Sequence, residues 1–530
     1  MTRRDFALLL KTIIAGAALS STSNPAIGAA VQNRRRIIVI GAGMAGLAAA
    51  RKLKAYGHDV LILEGRNRIG GRIQTSTQWS DFPVDLGASW IHEVTGNPLT
   101  AVAAEVSAAL VQTSYNDSIG YDTDGSELTT ADETLLDDLR TQVYDILGVA
   151  QNGPADQTLR AALNSLVGSG APANTKRLVN FILSSEMETE YAGSASQLSA
   201  YWYDNVSGYA GPDKFFAQGY RVIMDHLAAG LQIELGKIVT NIDWSQPDVR
   251  VVTNGGEYSA QEVLVTLPLG VLKTGQPTFT PALPAAKQQA ITKLGMGVLN
   301  KCYLRFATAF WPANVDWIEY IPTVHGEWTE WVSFLKSTGK PVLMGFLAAE
   351  QASAKEALTD AQIVASAMTV LRTIYGSSIP NPIDYQITRW AADPFSLGSY
   401  SFNAVNSTPA MRRDLAASLS RRLFFAGEAT EETYFATAHG AYLSGLRAAD
   451  EMEVPVISIV YDKQSSPPAV TLSWDSVPSA RYTVEQSTTM AAGSWTTQAS
   501  GILSGGTLTT HRIALPTGSP AKKFFRIRKE

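Results

Sequence analysis

The order of apolar and small residues near the start of the chain predicts a strand, a tight turn and a helix. The apolar run Ile37–Ile40 leads directly into a G-x-G-x-x-G spacing at Gly41, Gly43 and Gly46, and a helix-like run over 47–53 follows. In such a unit Gly41 permits the turn, Gly43 lets the backbone approach a pyrophosphate, and Gly46 lets helix and strand pack closely. The N-terminus of the helix then faces the phosphates.

A second apolar strand, Asp59–Leu63, ends at Glu64, whose carboxylate can hold ribose hydroxyls. With a strand before the glycines and an acid after the second strand, residues 35–72 are predicted to form a dinucleotide-binding α/β unit.

The pattern changes several times further along the chain. Periodic apolar positions such as Leu136, Leu139, Val143 and Leu147 predict a mostly helical segment over 97–230. Beyond it the pattern predicts these elements: strands at 233–235, 249–252 and 262–267, aromatic-rich strands within 301–347, a helix over 357–375, a strand at 423–425 and a closing helix over 440–450.

Composition shifts after Val454. A Ser/Pro-rich stretch within 453–468 predicts a linker. Short apolar runs at regular spacing over 469–530 then predict a small antiparallel β-sandwich of the fibronectin kind. This module carries no cluster of titratable residues that indicates a site.

Overall composition narrows the class of protein. The chain has 530 residues, of which 45% are hydrophobic and 17% charged, so we expect a globular protein of more than one domain. The formal net charge is −5 and basic residues are not clustered beyond 34–36, which argues against a nucleic-acid partner. The single cysteine, Cys302, and six histidines without ligand spacing argue against a metal site.

The first 30 residues predict a targeting segment. Arg3 and Arg4 precede an apolar run over 7–19, and small residues follow to Ala30. This layout is typical of a signal peptide of the twin-arginine type, and the apolar run is too short for a stable membrane span. We therefore expect an exported protein, periplasmic or secreted, although a retained membrane anchor would share this layout.

Motifs downstream of Glu64 carry a more specific signal. They stand at Gly65–Arg72, Asp85–His92, Leu267–Lys273, Leu294–Lys301, Trp390–Pro394, Gly398–Tyr400, Phe425–Glu428 and His439–Gly445. Taken together over roughly residues 36–450, they resemble the flavin-containing amine oxidase family, which includes monoamine oxidases, polyamine and spermine oxidases and lysine-specific histone demethylases.

The resemblance implies an α/β fold with a discontinuous Rossmann-type FAD-binding domain and an α+β substrate-binding domain. The FAD-binding domain is expected over 31–110, 231–295 and 386–452, and the substrate-binding domain over 111–230 and 296–385. The FAD is expected to be non-covalent, because monoamine oxidases attach flavin through a cysteine where this chain has Ser399. The residues expected to hold it are Gly41, Gly43, Gly46, Glu64, Arg66, Gly71, Arg72, Gly87, Ala88, Ser89, Trp90, Val239, Trp390, Gly427, Glu428, Thr437 and Ala438.

The resemblance also implies the catalytic residues. The family places a lysine at Lys301, bridged by water to flavin N5, where an ammonium would help reoxidation by dioxygen. Burial would depress its pKa and make it a possible proton shuttle. Tyr400 would form an aromatic wall that aligns the amine. Monoamine oxidases have a second tyrosine at the position of Thr437. A threonine at this position, as in this chain, occurs in spermine oxidases and histone demethylases.

Two further positions are candidates for substrate binding. His92 matches a histidine of several polyamine oxidases and could bond the amine or order water, although a histidine beside Trp90 can also be purely structural. Glu186, Glu188 and Glu190 form an acidic stretch suited to a polycation, and Glu188 is taken as the contact; a solvated face is the alternative for at least two of the three.

The sequence therefore predicts an FAD-dependent oxidase of a small-molecule amine, most similar to polyamine oxidases, with O2 as the second substrate and no metal or nucleic acid. The amine would become an imine that hydrolyses, and O2 would become hydrogen peroxide. The alternatives are an L-amino acid oxidase, a monoamine oxidase, and a surface-binding protein with a degenerate flavin domain.

Overall fold

The computed structural model describes residues 34–453 and, towards the C-terminus, residues 457–462, 467–476, 480–489, 494–505, 508–515 and 523–529. The predicted signal peptide over 1–30 lies outside the described residues. The chain divides into a large compact unit, Arg34–Val454, and a smaller one that contains Pro455–Glu530. No helix within the described ranges is long and apolar enough to cross a membrane.

A five-stranded parallel sheet is the centre of the large unit. In spatial order its strands are Leu423–Phe425, Glu262–Val265, Arg36–Ile40, Asp59–Leu63 and Gln232–Glu234. The apolar run of the middle strand is buried on both faces, as a central parallel strand requires. The next strand in sequence, Asp59–Leu63, lies on one side of the middle strand, and Glu262–Val265, which comes much later in the chain, lies on its other side. The turn at its carboxyl end thus marks the switch point where such sheets bind ligands. The strands come from all three predicted segments of the discontinuous domain.

Two helices pack together beside this sheet. Met44–Ala55 follows the first strand, and Ala438–Glu453 lies against it. Their close approach depends on Gly445, where a Cβ would come within 2.2 Å of the Ala45 carbonyl oxygen. Both helices therefore present their N-termini beside the carboxyl ends of the central strands. Further helices of the unit are Pro98–Glu105, Arg221–Ala228, Leu269–Lys273, Ala285–Lys293 and Pro409–Ala416.

A small sheet covers one face of the parallel sheet. Its strands are Gly256–Ala260, Val249–Thr253, Val239–Asp243 and Thr278–Thr280. Ile242, Val249 and Val251 pack against Ile38 and Val263 of the parallel sheet. Short two-stranded pairs, Thr75–Ser76 with Val84–Asp85 and Gly295–Met296 with Ser401–Phe402, connect these layers to the rest of the unit.

A six-stranded mixed sheet forms the second half of the large unit. In order its strands are Asp384–Ile387, Leu299–Arg305, Val342–Ala348, Glu330–Ser333, Trp317–Tyr320 and Ser118–Tyr121. The predicted helix over 357–375 is observed as Asp360–Tyr375, with a capping box between Thr359 and Gln362. Shorter helices, Leu335–Thr338 and Ala349–Lys355, flank the strand Val342–Ala348.

The segment 97–230 is less helical than the sequence predicted. Besides Pro98–Glu105 and Arg221–Ala228, its helices are Thr130–Ala150, Leu159–Ala162, Asn164–Val167, Ala173–Ile182 and Thr189–Tyr191, with a π-helical turn at Leu183–Glu188. It also contains the strand Ser118–Tyr121 and the strands Leu110–Thr113 and Asp213–Phe216. Asp213–Phe216 is the middle strand of a small sheet and pairs with both Leu110–Thr113 and Trp90–Ile91. These strands are short and partly exposed, so their alternation of apolar and polar residues was too weak to predict them.

The smaller unit is a β-sandwich of two three-stranded antiparallel sheets. One contains Ile457–Asp462, Ala469–Asp475 and Leu508–Ala514, and the other contains Thr496–Leu503, Arg481–Ser487 and Phe524–Lys529. Leu472, Trp474 and Val484 are fully buried between the sheets. Part of the predicted linker over 453–468 is a strand instead, because 457–462 is held by pairing at a sheet edge while Ile459 and Val460 remain exposed.

Candidate active site

A cavity of about 1290 Å³ runs from the parallel sheet to the six-stranded sheet of the large unit. Common ligand pockets measure about 300–1000 Å³, so this cavity has room for a dinucleotide and a second molecule. Every residue predicted to hold the cofactor lines it except Gly46, as do the predicted catalytic residues Lys301, Tyr400 and His92. We call the end lined by Gly41, Gly43, Glu64, Val239 and Gly427 the nucleotide end.

The glycine turn opens onto the nucleotide end. Gly41 has φ +106°, and Gly43 ends the turn as the N-cap of the helix Met44–Ala55 without a side-chain cap. A Cβ at Gly43 would meet nothing within 4 Å, so a side chain there would project into the cavity. Gly46 faces the other way, because its Cβ would come within 2.0 Å of the Gly41 carbonyl oxygen. The turn therefore presents free helix N–H groups to an anion, as a pyrophosphate site requires.

Glu64 stands beside this turn at the end of the second strand. One carboxylate oxygen accepts from the backbone N–H of Ala42 at 2.7 Å and the other from that of Arg66 at 2.8 Å. Each oxygen keeps a lone pair, because a carboxylate offers about four acceptor positions. The geometry fits the predicted contact with ribose hydroxyls.

The two arginines predicted to offset pyrophosphate charge both line the cavity, but each is already paired. Arg66 donates two hydrogen bonds of 2.7 Å to Asp393. Arg72 donates to Glu428 at 2.9 Å and to the carbonyl of Ser399 at 2.8 Å. Arg66 is thus neutralised by Asp393 and also donates to Ser396 Oγ at 2.8 Å, so its predicted role is reduced to the donors that these two residues leave unused.

Glu428 connects the late strand to the closing helix. Its other oxygen accepts from Ser401 Oγ at 2.7 Å and from the Ala436 backbone at 3.0 Å. Burial works to raise the pKa of Glu428, but Arg72, Ser401 and the buried Arg412 outweigh it and hold the pKa below its usual value. This carboxylate therefore stays charged and fixes the backbone that precedes Ala438.

Lys301 projects from the six-stranded sheet towards the middle of the cavity. Its Nζ donates to the carbonyls of Asp85 at 3.0 Å and Gly87 at 2.6 Å and to Ser89 Oγ at 2.5 Å. Burial lowers the pKa of Lys301 to about 7, although the nearby Asp85 carboxyl opposes that shift. Near neutral pH the amine is therefore able to take up or release a proton.

Tyr400 shares the cavity with Lys301. Its hydroxyl donates to the carbonyl of Thr189 at 2.7 Å, which fixes the ring, and burial raises its pKa well above the usual value. Its neighbour Ser399 exchanges hydrogen bonds with the backbone of Leu299 at 2.8 and 2.9 Å. The only cysteine, Cys302, is buried in the strand beside Lys301 and does not line the cavity.

His92 and Thr437 both line the cavity, but the hydrogen bonds of their side chains differ. His92 Nδ1 lies 3.0 Å from Asp213 Oδ2, and although burial works to lower its pKa, Asp213 outweighs that effect and raises it. Thr437 Oγ1 accepts from the Gly440 N–H at 2.9 Å and donates to the Tyr434 carbonyl at 2.7 Å. The hydroxyl hydrogen of Thr437 is thus directed at the Tyr434 carbonyl and not into the cavity.

The prediction for Glu188 is wrong. This side chain is buried outside the cavity, where it accepts from the Ala195 N–H at 2.8 Å and pairs with His325 at 2.9 Å. Glu186 and Glu190, one helical turn apart, face the cavity instead. Glu188 lies between them in sequence and therefore points to the other side of the π-helical turn.

Two acids that the sequence analysis missed lie on the same cavity wall. Glu319 and Glu330 are directly opposite each other on the antiparallel strands Trp317–Tyr320 and Glu330–Ser333. Burial raises the pKa of Glu330 well above its usual value, and Glu319 raises it further; its Oε2 has no hydrogen-bond partner among the described residues. An acid inside an apolar strand was the signal that could have revealed both.

Aromatic rings complete this end of the cavity. Tyr115 stacks on Trp317 with ring centroids 4.3 Å apart, and Trp317 continues the stack to Trp90 and Phe346. Tyr115 is 56% exposed and lines the cavity. We call the end lined by Tyr115, Glu190, Glu319, Glu330 and Tyr400 the acidic chamber.

One cation lies at the margin of the acidic chamber. Arg140 Nε donates to Glu186 at 2.6 Å, and its guanidinium also pairs with Asp137. Tyr144 donates to the second oxygen of Glu186 at 3.0 Å. Within the described ranges, no three His, Cys, Asp or Glu side chains are grouped so as to hold a metal ion.

Known proteins resemble this chain over the whole large unit. The family model of flavin-containing amine oxidoreductases matches residues 44–453. Polyamine oxidase 2 of Arabidopsis thaliana is 34% identical over 437 residues, which are 79% of this chain and 88% of that protein. Lysine-specific histone demethylase 1 homolog 2 of the same plant is 36% identical over 436 residues, 78% of this chain but only 58% of that protein. A solved putrescine oxidase double mutant with redesigned cofactor binding has a TM-score of 0.64 at 18% identity, covers 79% of this chain and 99% of its own, and shows the fold.

Proposed function

The chain belongs to the flavin-containing amine oxidoreductase family, and from that premise we propose that its substrate is a diamine or polyamine. In this proposal one amine is oxidised beside Lys301 and Tyr400 while a second, protonated amine binds in the acidic chamber. The observation that carries the proposal is the opposed pair Glu319 and Glu330 on the wall of the same cavity.

The protein is an FAD-dependent amine oxidase, and its own residues fit the cofactor. The open Cβ position of Gly43 and the free helix N-terminus suit a pyrophosphate, and Glu64 suits a ribose. Gly427 is a second position, at φ +130°, where a Cβ would meet nothing within 4 Å. When bound, FAD supplies the acceptor for the hydrogen and two electrons removed from the amine and returns the electrons to O2 as hydrogen peroxide.

The protein's part in the reaction is to orient and to hold protons. Tyr400, fixed through its hydroxyl, presents a ring face that positions the reacting amine. Lys301 Nζ, with a pKa of about 7, can hold a proton near the developing negative charge on oxygen and release it. Apolar rings such as Trp317 and Phe346 exclude water from the reacting carbon.

The charge of the acidic chamber argues against the other substrates of the superfamily. An L-amino acid brings a carboxylate, which needs a cation, and the one arginine at the chamber already pairs with Glu186 and Asp137. A monoamine would leave the buried Glu330 carboxyl, whose pKa burial and Glu319 raise, without a cation that favours its charged form. A second ammonium supplies that counter-charge.

A comparison of peroxide release tests the proposal. The substrates are 1,4-diaminobutane, spermidine, tyramine, phenylalanine and a lysine-bearing peptide, with Lys301→Met as a control of reduced peroxide release. We expect kcat/KM for the best di- or polyamine to exceed that for tyramine and phenylalanine by about tenfold or more, the worth of one charge-assisted contact. A preference for tyramine, phenylalanine or the peptide would overturn the assignment.

We also propose that the protein is exported, which rests on Arg3, Arg4 and the apolar run over 7–19. Fusing residues 1–30 to a reporter that works only after folded export tests this. Replacement of both arginines by lysine should retain the reporter inside the cell; export that is unaffected by the replacement would contradict the proposal.

A further inference from the structure

Arg140 is the feature of the cavity that the proposed function leaves unexplained. It lines the cavity from the helix Thr130–Ala150, close enough to Glu319 of the acidic chamber for its charge to act on that carboxyl. Its guanidinium binds Glu186 through Nε at 2.6 Å, and Tyr144 holds the second oxygen of that carboxylate. The arginine is therefore fixed in place.

The electrostatic reach of Arg140 extends to the opposed pair. Burial raises the pKa of Glu319, and Arg140 is the cation that counteracts this shift, whereas Glu186 reinforces it. Glu319 is thus subject to the positive charge of Arg140 and lies directly opposite Glu330 across the two strands. We call Glu319 and Glu330 the inner pair, and Glu186, which binds Arg140 and whose side chain is 23% exposed, the outer carboxylate.

The inner and outer carboxylates therefore differ in what they can bind. Glu330 is 7% exposed and its Oε2 lacks a partner among the described residues, so the inner pair is short of a cation. Glu186 at the outer position already has one. An ammonium that reached the outer position would meet a guanidinium, and like charges in a partly desolvated site repel strongly.

We infer that Arg140 is a specificity-determining residue, which restricts the acidic chamber to amines that carry one distal ammonium and disfavours longer polyamines. This inference rests on the proposed function, because it concerns the same chamber. Arg140 supplies from the protein the positive charge that a third or fourth amine would otherwise bring, so selectivity arises from repulsion of the longer molecule.

The test compares 1,4-diaminobutane with spermine in the FAD-loaded full chain. We expect the parent to prefer the diamine in kcat/KM. Arg140→Gln should raise the ratio of kcat/KM for spermine to kcat/KM for the diamine about tenfold, since one lost charge contact is worth about one order of magnitude. Arg140→Lys keeps the charge and should keep the preference.

Arg177→Gln is the matched control. It removes the same charge from a half-buried ion pair with Asp122, and neither residue lines the cavity. Thermal melting and flavin absorbance show whether each variant folds. If the parent already prefers spermine, or if Arg140→Gln shifts both amines equally, the inference is overturned. If neither amine exceeds tyramine, the proposed function itself fails.

Discussion

Glu319 and Glu330 face each other across two antiparallel strands on the wall of the cavity that also holds Lys301 and Tyr400. Like charges placed directly opposite each other destabilise a sheet, and burial adds the desolvation penalty of each carboxylate. An ammonium placed between them would relieve both effects. Glu319 and Glu330 therefore favour the binding of a cation between them.

Replacing Glu330 by Gln should weaken the binding of a diamine while the reaction itself continues. We expect KM for 1,4-diaminobutane to rise about tenfold to a hundredfold, the range for losing a charged hydrogen bond, with kcat within a few-fold. Steady-state peroxide release measures both constants.

The matched control is Glu327→Gln, which removes a carboxylate that pairs with Lys355 and does not line the cavity. It should leave KM unchanged. An increase in KM for tyramine as large as that for the diamine would contradict a role of Glu330 in binding the second ammonium.

The same substitution should change how stability depends on pH. The folded-state pKa of Glu330 lies above the ordinary 4.5, so its contribution to stability is complete below that value and is lost as pH rises through the folded pKa. The Gln variant has no such loss. We expect the melting temperature of Glu330→Gln to increase relative to that of the parent as pH rises from about 4 to about 8. A difference in melting temperature that stays constant over this range would contradict the raised pKa of Glu330.

Much of the fold was predictable because its signals are local. The strand 423–425 and the strand 59–63 were predicted with the observed bounds, since apolar runs in a parallel sheet are buried on both faces. The glycine turn was predictable because Gly41 and Gly43 have backbone requirements that other residues do not meet.

The acidic chamber was not predictable in the same way. The register that places Glu319 opposite Glu330 depends on strand pairing and not on local sequence. The sequence shows that Glu186, Glu188 and Glu190 are close together but not which side of a π-helical turn each one faces, so the prediction of Glu188 as the substrate contact is wrong.

Lys301→Met should slow reoxidation by dioxygen while leaving anaerobic reduction by the amine largely intact. An ammonium at this position stabilises anionic oxygen species, and its loss is expected to reduce the rate about a hundredfold. In the parent the rate should fall as pH rises through about 7, where Lys301 loses its proton, and in the variant it should not depend on pH over this range.

Stopped-flow measurement of each half-reaction separates these effects. Lys273→Met, which removes a lysine that donates to the Thr292 carbonyl outside the cavity, serves as the control. Reoxidation of the Lys301→Met variant at the parent's rate would remove Lys301 from the mechanism.

Substitutions of Gly43 and Gly46 should have different effects, one on FAD binding and the other on stability as well. Gly43→Val places its side chain in the open nucleotide end, so we expect a folded protein that retains little FAD. Gly46→Ala forces a Cβ within 2.0 Å of the Gly41 carbonyl and should lower the melting temperature of the apoprotein as well. Flavin absorbance and apoprotein melting distinguish the two, and full FAD retention by Gly43→Val would contradict the placement of the pyrophosphate.

Glu188 and Glu190 form a matched pair that tests the corrected assignment, because they are the same residue type two positions apart on opposite sides of one turn. Glu188→Gln disturbs a buried carboxylate that holds Ala195 and His325, so we expect a loss of about 1–3 kcal/mol in stability and unchanged KM for the diamine. Glu190→Gln removes a charge that faces the acidic chamber, so we expect unchanged stability and a KM raised several-fold. Melting curves and steady-state kinetics on both variants test this assignment. If Glu188→Gln raises KM for the diamine and Glu190→Gln does not, Glu190 is not the acid of this segment that interacts with the charge of the substrate.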